Sequence, residues 1–187
     1  MREIEIKIEV DCADRAREKL GRAGATALVP RSFEDNRVYD DEHLSFARGR
    51  RLLRLRSTQG RHLLTFKHPP EHSEEGARYK VRVEHQCEVS DAEEMEKILL
   101  ALGYHQTWRY QKYRQSYELD GVHVEIDELP FATFIELEGP PEGIDSAARK
   151  LGYGPADYST ATYRELFCRQ VGSDEPGDML FDGVDAR

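Results

Sequence analysis

The chain has 187 residues, a net charge of −9, 39% apolar and 34% charged residues, and a mean hydropathy of −0.72. That suits one domain with a real core rather than two, is too apolar for wholesale disorder, and includes no apolar run near the ~18 residues of a membrane span. Met1-Arg2-Glu3-Ile4-Glu5 is not a signal peptide, the widely spaced Cys12, Cys87 and Cys168 suit a reducing cytoplasm rather than disulfides or structural zinc, and the net negative charge argues against duplex nucleic acid as a partner.

Residues 3–10 read Glu-Ile-Glu-Ile-Lys-Ile-Glu-Val, a period of two that predicts a half-buried strand. Asp11 offers an N-cap for a helix over 13–23, which Gly24 ends. Strand patterns follow near 33–40, 50–57 and 62–67, then a loop marked by Pro69, Pro70 and Gly76. Residues 80–89 alternate again; Ser90 and Glu93 form a capping box for a helix running to about Leu102 and stopping at Gly103. Further strands are predicted over 107–119, 121–128 and 132–138, with Gly121 turning a hairpin. Asp145 caps a short helix ended by Gly152, and a last segment closes near Arg169. The domain is expected over residues 1–170, with an acidic, disordered tail over 171–187.

The spacing from Val10 to Gly24 equals that from Val89 to Gly103, so the chain reads as two related halves, each a strand, a helix and more strands. Some eight strands, mostly antiparallel, with helices segregated outside predict an α+β fold closed as an eight-stranded antiparallel β-barrel, which leaves no exposed edge.

Residues two apart on a strand share a face. Here they form like-charged pairs: Glu3/Glu5, Arg54/Arg56, Lys80/Arg82, Lys112/Arg114, Glu125/Asp127 and Glu136/Glu138, with Lys7 and Lys67 in phase. The alternate positions include Ile4, Ile6, Ile8, Leu53, Leu55, Val124 and Ile126. Such pairs sit about 6.6 Å apart, which costs ~0.6 kcal/mol in open water and about 2.5 kcal/mol at an effective dielectric near 20. Six uncompensated pairs inside a barrel would rival the stability of a whole domain. They therefore need counter-ions: one another, metals or a polyanion. Carboxylates at i and i+2 can hold Mg²⁺ or Mn²⁺, and Arg and Lys suit phosphate oxygens. A metal-bound triphosphate satisfies both sets.

Glu3-Ile4-Glu5-Ile6-Lys7 matches an E-x-E-x-K signature. It is followed in order by the Asn36 to Asp40 segment, Leu53-Arg54-Leu55-Arg56, Leu64-Thr65-Phe66-Lys67, Lys80-Val81-Arg82-Val83-Glu84, Lys112-Tyr113-Arg114, Glu125-Ile126-Asp127 and Phe134-Ile135-Glu136-Leu137-Glu138-Gly139. Over roughly residues 1–168 the chain resembles the CYTH superfamily, the triphosphate tunnel metalloenzymes. The resemblance implies a β-barrel tunnel lined by charge, a Mg²⁺ or Mn²⁺ cofactor, a triphosphate-containing small molecule as substrate, and a homodimer as a plausible assembly. It assigns Glu3, Glu5 and Lys7 as catalytic candidates. Arg54, Arg56, Lys67, Lys80, Arg82, Lys112 and Arg114 would bind phosphate, and Glu136, Glu138, Asp127 and Glu125 the metal. The leading expectation is hydrolysis of inorganic triphosphate or an organic one such as thiamine triphosphate. A class IV adenylyl cyclase making cyclic AMP and pyrophosphate is the alternative, and a non-catalytic polyphosphate- or nucleotide-binding module a further one. Ala132 stands where the family often has glycine.

Other signals carry less. His68 and His72 stand at i and i+4, but Pro69 and Pro70 between them forbid a helical metal pair. His123-Val124-Glu125 lacks the P-C-x-x-C partner of zinc deaminases, and no P-loop, Rossmann or nucleophile-elbow motif occurs. Trp108, Tyr110, Tyr113 and Tyr117 could stack a base, although packing is the plainer expectation. The cysteines are expected to be small buried hydrophobes.

Overall fold

The strict alternation at the N-terminus sorts one strand between two environments. Glu3, Glu5 and Lys7 turn into the interior of a ring, and Ile4, Ile6 and Ile8 turn outward under helices. The computed structural model describes residues 2–71 and 78–183. Its strands are β1 (Arg2–Val10), β2 (Thr26–Asp40), β3 (Leu52–Thr58), β4 (Arg61–His68), β5 (Lys80–Val89), β6 (His105–Leu119), β7 (Val122–Glu128) and β8 (Thr133–Glu138). They close in the order β1-β5-β4-β3-β2-β6-β7-β8, every neighbouring pair antiparallel. Exchanging β1–β4 with β5–β8 maps this order onto itself. The repeated strand–helix spacing thus corresponds to two topologically equivalent halves, joined where β1 meets β5 and β2 meets β6.

The helices are α1 (Ala13–Ala23), α2 (Ser45–Arg48), α3 (Ala92–Ala101), α4 (Pro141–Lys150) and α5 (Tyr163–Val171). The main apolar core lies between the outer wall of the ring and two of them. Ile6, Ile8, Val124, Ile126, Ile135 and Leu137 pack against Ala16 and Leu20 of α1 and Ile144, Ala147 and Ala148 of α4. Each such aliphatic side chain stabilises the fold by ~1.5–3 kcal/mol on full burial. A smaller cluster of Tyr39, Leu53, Leu55 and Leu99 seats α3.

Several local expectations need correction. Cys12, not Asp11, is the N-cap of α1, and the Asp11 carboxylate instead pairs with Arg15 one turn on. Asp91, not Ser90, caps α3, accepting from the Glu93 and Glu94 amides at 2.9 and 3.0 Å. The α4 helix starts at Pro141, where a proline's missing N–H costs nothing. Asp145 therefore lies within it and accepts from Arg78, Tyr79 and Tyr158. Cys12 and Cys87 are exposed and Cys168 is half-buried, so none is a core residue; Cys87 falls on the solvent-facing stretch 85–88 of β5. The helix stops at Gly24 and Gly103 are left-handed, with φ of +82° and +88°.

Of the segment expected as a tail, residues 171–183 are described, and part of it packs on the ring. Helix α5 runs to Val171, and residues 177–181 lie along β6. The Gln111 amide donates to the Met179 carbonyl, and the Met179 amide to the Arg109 carbonyl, both at 2.9 Å. The cause is an open edge: β7 pairs with β6 only from Tyr113 onward, and buried backbone groups before it need partners. Even an acid takes part, the Asp178 carboxylate accepting from the Arg109 amide at 2.8 Å. Met179 is 1% exposed, in a cluster with Trp108, Tyr110, Leu129, Phe134 and Tyr163. Residues 184–187, and the His72 and Gly76 of the predicted loop, lie outside the described residues. No described helix is long and apolar enough to cross a membrane.

Candidate active site

Every strand contributes charge to the inside of the ring, and the like-charged pairs serve as counter-ions to one another. Lys7 Nζ lies 2.6 Å from Glu5 and 3.0 Å from Glu136, and Lys80 2.8 Å from Glu5. Lys67 sits between Glu3 at 2.7 Å and Glu84 at 2.5 Å. Arg114 forks both oxygens of Asp127 at 2.6 and 2.5 Å and reaches Glu125 at 2.5 Å. Lys112 approaches Asp127 at 2.9 Å. Arg56 meets Glu34 at 3.2 Å and the Asn36 side-chain oxygen at 3.0 Å.

This pairing sets the protonation states. Burial and the neighbouring Glu136 push the Glu5 carboxyl up, but Lys7, Lys80 and Lys67 outweigh them and hold it at about 2. Burial raises Glu3 to about 7 despite Lys67, and the hydrogen bond and negative charge of the neighbouring Glu84 add to the rise. Burial also works against the charge of Lys7, yet Glu136 and Glu5 raise its pKa above that of an ordinary lysine.

Three tunnel groups lack an opposite charge within ion-pairing distance among the described residues. The first is Arg54, 6% exposed, which donates only to the Tyr110 hydroxyl at 3.2 Å and Thr65 Oγ1 at 3.4 Å, while its Nε has no partner; against its burial, Tyr110 and the more distant charges of Glu34 and Glu84 keep it protonated. The second is Arg82, whose one hydrogen bond goes to the neighbouring Val81 carbonyl; burial and the Arg50 charge lower its pKa. The third is Glu138, whose pKa rises through burial and the proximity of Glu125 and Glu136.

Glu125, Asp127 and Glu136 place carboxylate oxygens within 4.8 Å of one another, next to the unpaired Glu138. Hard oxygen donors at this spacing, with an uncompensated carboxylate beside them, fit a divalent cation such as Mg²⁺ or Mn²⁺. The structure thus brings Glu3, Glu5, Lys7, Arg54, Arg56, Lys67, Lys80, Lys112, Arg114, Glu125, Asp127, Glu136 and Glu138 into one interior, with Arg82 half-buried in phase with Lys80 on β5.

Sequence reasoning gave Glu34, Glu84 and Tyr163 no role in the site, and singled out Tyr110 for base stacking and not for its hydroxyl on Arg54. For Tyr163 a signal existed in the capping box of Thr162 and Glu165, which opens α5. The aromatic candidates for base stacking are packing residues. Trp108 and Tyr110 stack on each other at 4.7 Å in a buried cluster, Tyr117 belongs to the outer core, and Tyr113 lies under Arg31 at 3.5 Å.

The family model for the CYTH domain matches residues 1–163. The protein MJ0240 of Methanocaldococcus jannaschii, provisionally named an adenylate cyclase, is 26% identical over 139 residues, 74% of this chain and 77% of that one. A Vibrio parahaemolyticus protein, also provisionally named an adenylate cyclase, superposes with a TM-score of 0.75 at 18% identity, covering 88% of this chain and 97% of that one. HpAC1 from Hippeastrum, described as a provisional adenylyl cyclase with a dominant triphosphatase activity, superposes with a TM-score of 0.61 at 17% identity, covering 91% of this chain and 96% of that one. These likenesses show the shared fold, and with the family match over most of its length the chain belongs to the CYTH family.

Proposed function

We propose that this protein is a divalent-metal-dependent triphosphatase that takes inorganic triphosphate or the triphosphate end of an organic molecule into its tunnel. The observation that carries the reading is Arg54, a buried guanidinium with no carboxylate at ion-pairing distance. Burying an unpaired charge costs several kcal/mol, and a phosphoryl group is the partner a guanidinium fork fits.

Arg54, Arg56, Lys67, Lys80, Arg82, Lys112 and Arg114 would bind the phosphoryl oxygens and stabilise charge as the bridging bond breaks. The cations and carboxylates assigned to the tunnel are close to balanced, so an incoming triphosphate leaves an excess of negative charge. Glu136, Glu138, Glu125 and Asp127 would hold Mg²⁺ or Mn²⁺ there, which when bound supplies polarisation of phosphoryl oxygens. Lys7, kept protonated between Glu5 and Glu136, acts as a fixed cation rather than a general base. Glu5, held ionised, orients Lys7 and Lys80. Glu3, raised towards neutrality, lies 2.7 Å from Lys67 and positions it together with Glu84.

Hydrolysis is favoured over cyclisation because Trp108, Tyr110 and Tyr117 are all committed to packing. Cyclisation needs a base-binding surface that bends the nucleotide into an attacking pose. The activity described for the Hippeastrum relative supports the same choice. The cyclase reading rests on the names of the Methanocaldococcus and Vibrio relatives. Offering ATP and tripolyphosphate separately with Mg²⁺ and Mn²⁺ decides between them, with cyclic AMP, pyrophosphate and orthophosphate all quantified. Orthophosphate from tripolyphosphate is expected. Equal cyclic AMP and pyrophosphate from ATP, with tripolyphosphate untouched, would establish the cyclase. Stoichiometric tripolyphosphate binding without turnover would leave only a binding module.

A further inference from the structure

We propose that Tyr163 is the positioning residue of the acidic cluster, holding Glu136 and Asp127 so that a divalent cation finds its oxygens already arranged. The inference rests on the triphosphatase reading and adds a residue from outside the strands that build the tunnel.

The Tyr163 hydroxyl lies 2.6 Å from Asp127 Oδ2 and 3.2 Å from Glu136 Oε2. Register places Glu125 opposite Glu136 and Asp127 opposite Phe134, so Asp127 and Glu136 are diagonal neighbours on adjacent strands, where like charges repel. A single O–H has one proton to donate, and it is shared between these two acids. Asp127 is held on both oxygens: Oδ2 also accepts from Lys112 and Arg114, and Oδ1 from the Arg114 Nε alone, which leaves Oδ1 a lone pair for a cation. Glu136 Oε2 is committed to Tyr163 and to Lys7 at 3.0 Å. Glu136 Oε1, with Arg114 3.7 Å away, and Asp127 Oδ1 are thereby turned to the cation, alongside Glu125.

The tyrosine is itself firmly seated. Thr162 and Glu165 close a reciprocal cap at the start of α5. The ring packs on Phe134 at 5.5 Å and shares a buried cluster with Trp108, Leu129 and Met179. The ammonium groups of Lys7 and Lys112 lie over the ring at 5.0 and 5.3 Å, so the same side chain spaces the two cations that flank the cluster. Removing the hydroxyl alone keeps this packing. It frees Glu136 to swing towards Lys7 and lets the two carboxylates move apart.

The test compares the full chain with Tyr163→Phe and Thr162→Ala. Mn²⁺ affinity is measured without substrate from the paramagnetic resonance signal of free Mn²⁺, alongside thermal unfolding and tripolyphosphate kinetics. Loss of a group that orients a ligand typically weakens metal binding by about tenfold or more. The expected result is that loss in Tyr163→Phe, a smaller loss in Thr162→Ala through a loosened first turn of α5, and an unchanged KM for tripolyphosphate at saturating Mn²⁺. A folded Tyr163→Phe protein with wild-type Mn²⁺ affinity overturns the proposal. So does wild-type affinity in Thr162→Ala if Tyr163→Phe fails to fold. Wild-type protein that binds Mn²⁺ but turns over no triphosphate overturns the triphosphatase reading while the affinity difference still reports on Tyr163. Wild-type protein that binds no Mn²⁺ overturns both.

Discussion

The Arg54 guanidinium meets the Tyr110 hydroxyl at 3.2 Å, and Tyr110 is in turn stacked on Trp108 in a buried cluster. A neutral hydroxyl orients the cation without neutralising it. Arg54→Met should therefore separate folding from binding. The variant is expected to keep a wild-type stability within about 1 kcal/mol, since an apolar chain of similar length removes the desolvation cost of the cation together with its attraction to Glu34 and Glu84. Its KM for tripolyphosphate should rise about tenfold or more. Urea unfolding and steady-state kinetics check the two halves. A destabilised variant with unchanged KM would mark Arg54 as a structural residue.

Glu136 and Glu138 should part company when replaced by glutamine. Both substitutions should lower activity at limiting Mn²⁺ by about tenfold or more, with partial recovery as the metal is raised. Their effects on the fold differ. Glu136→Gln weakens the partner of the buried Lys7 and should lower the melting temperature. Glu138→Gln removes a carboxylate already crowded by Glu125 and Glu136 and should not. Full activity of both variants at low metal would show that the metal-holding carboxylates lie elsewhere.

Glu3 and Glu84 share the Lys67 ammonium, and the pH dependence of stability should show it. Glu3 is raised to about 7 in the fold against an ordinary value of 4.5. Between those values the folded chain binds more protons than the unfolded one, so this group's contribution to stability falls as pH rises from about 4.5 to about 7. Glu5 has the opposite sign: lowered to about 2, it contributes fully above 4.5 and loses that contribution as the pH falls through its folded value. Glu84→Gln removes the neighbouring charge that helps to raise Glu3 and should flatten the decline between pH 4.5 and 7. Urea midpoints at about pH 5 and about pH 7.5 measure it; an unchanged slope would place the shift elsewhere.

The C-terminal strap along β6 should matter to stability. Met179→Ala removes a side chain that is 1% exposed and is expected to cost about 2–4 kcal/mol. Ending the chain before Asp174 should also uncover Trp108, whose indole donates to the Gly177 carbonyl at 3.2 Å, and shift its fluorescence to longer wavelength. An unaltered melting temperature and emission would mean that the strap is not docked in solution.

What could be read from the chain followed from how local each signal was. The period of two in Ile4-Glu5-Ile6-Lys7 and Val122-His123-Val124-Glu125 gave both the strands and the two faces of the wall, because alternation needs no knowledge of neighbours. The long β2 strand defeated it: register shifts at Ala27/Val29, Val29/Ser32 and Val38/Tyr39 break the alternation, and Glu34 was lost with it. The 171–187 segment was judged on its acids, which hid the short apolar run Met179-Leu180-Phe181 that docks it. The isolation of Arg54 was not legible at all. Which charges lack partners is decided by the order in which strands close, and β3 stands between β4 and β2, far from the carboxylates of β7 and β8.

Alternate residues along each strand answer to different demands. Ile6, Ile135 and Val124 hold helices against the outer wall, while Glu5, Glu136 and Glu125, one position away, face the lumen. A change of chemistry inside therefore leaves the apolar contacts outside largely untouched. Mutational drift can retune what the tunnel accepts at a cost set by the ion pairs of the lumen, and not by the apolar core. The same separation defines a library for directed evolution, with lumen positions randomised and the exterior held fixed, so that a new specificity can be selected within an unchanged scaffold.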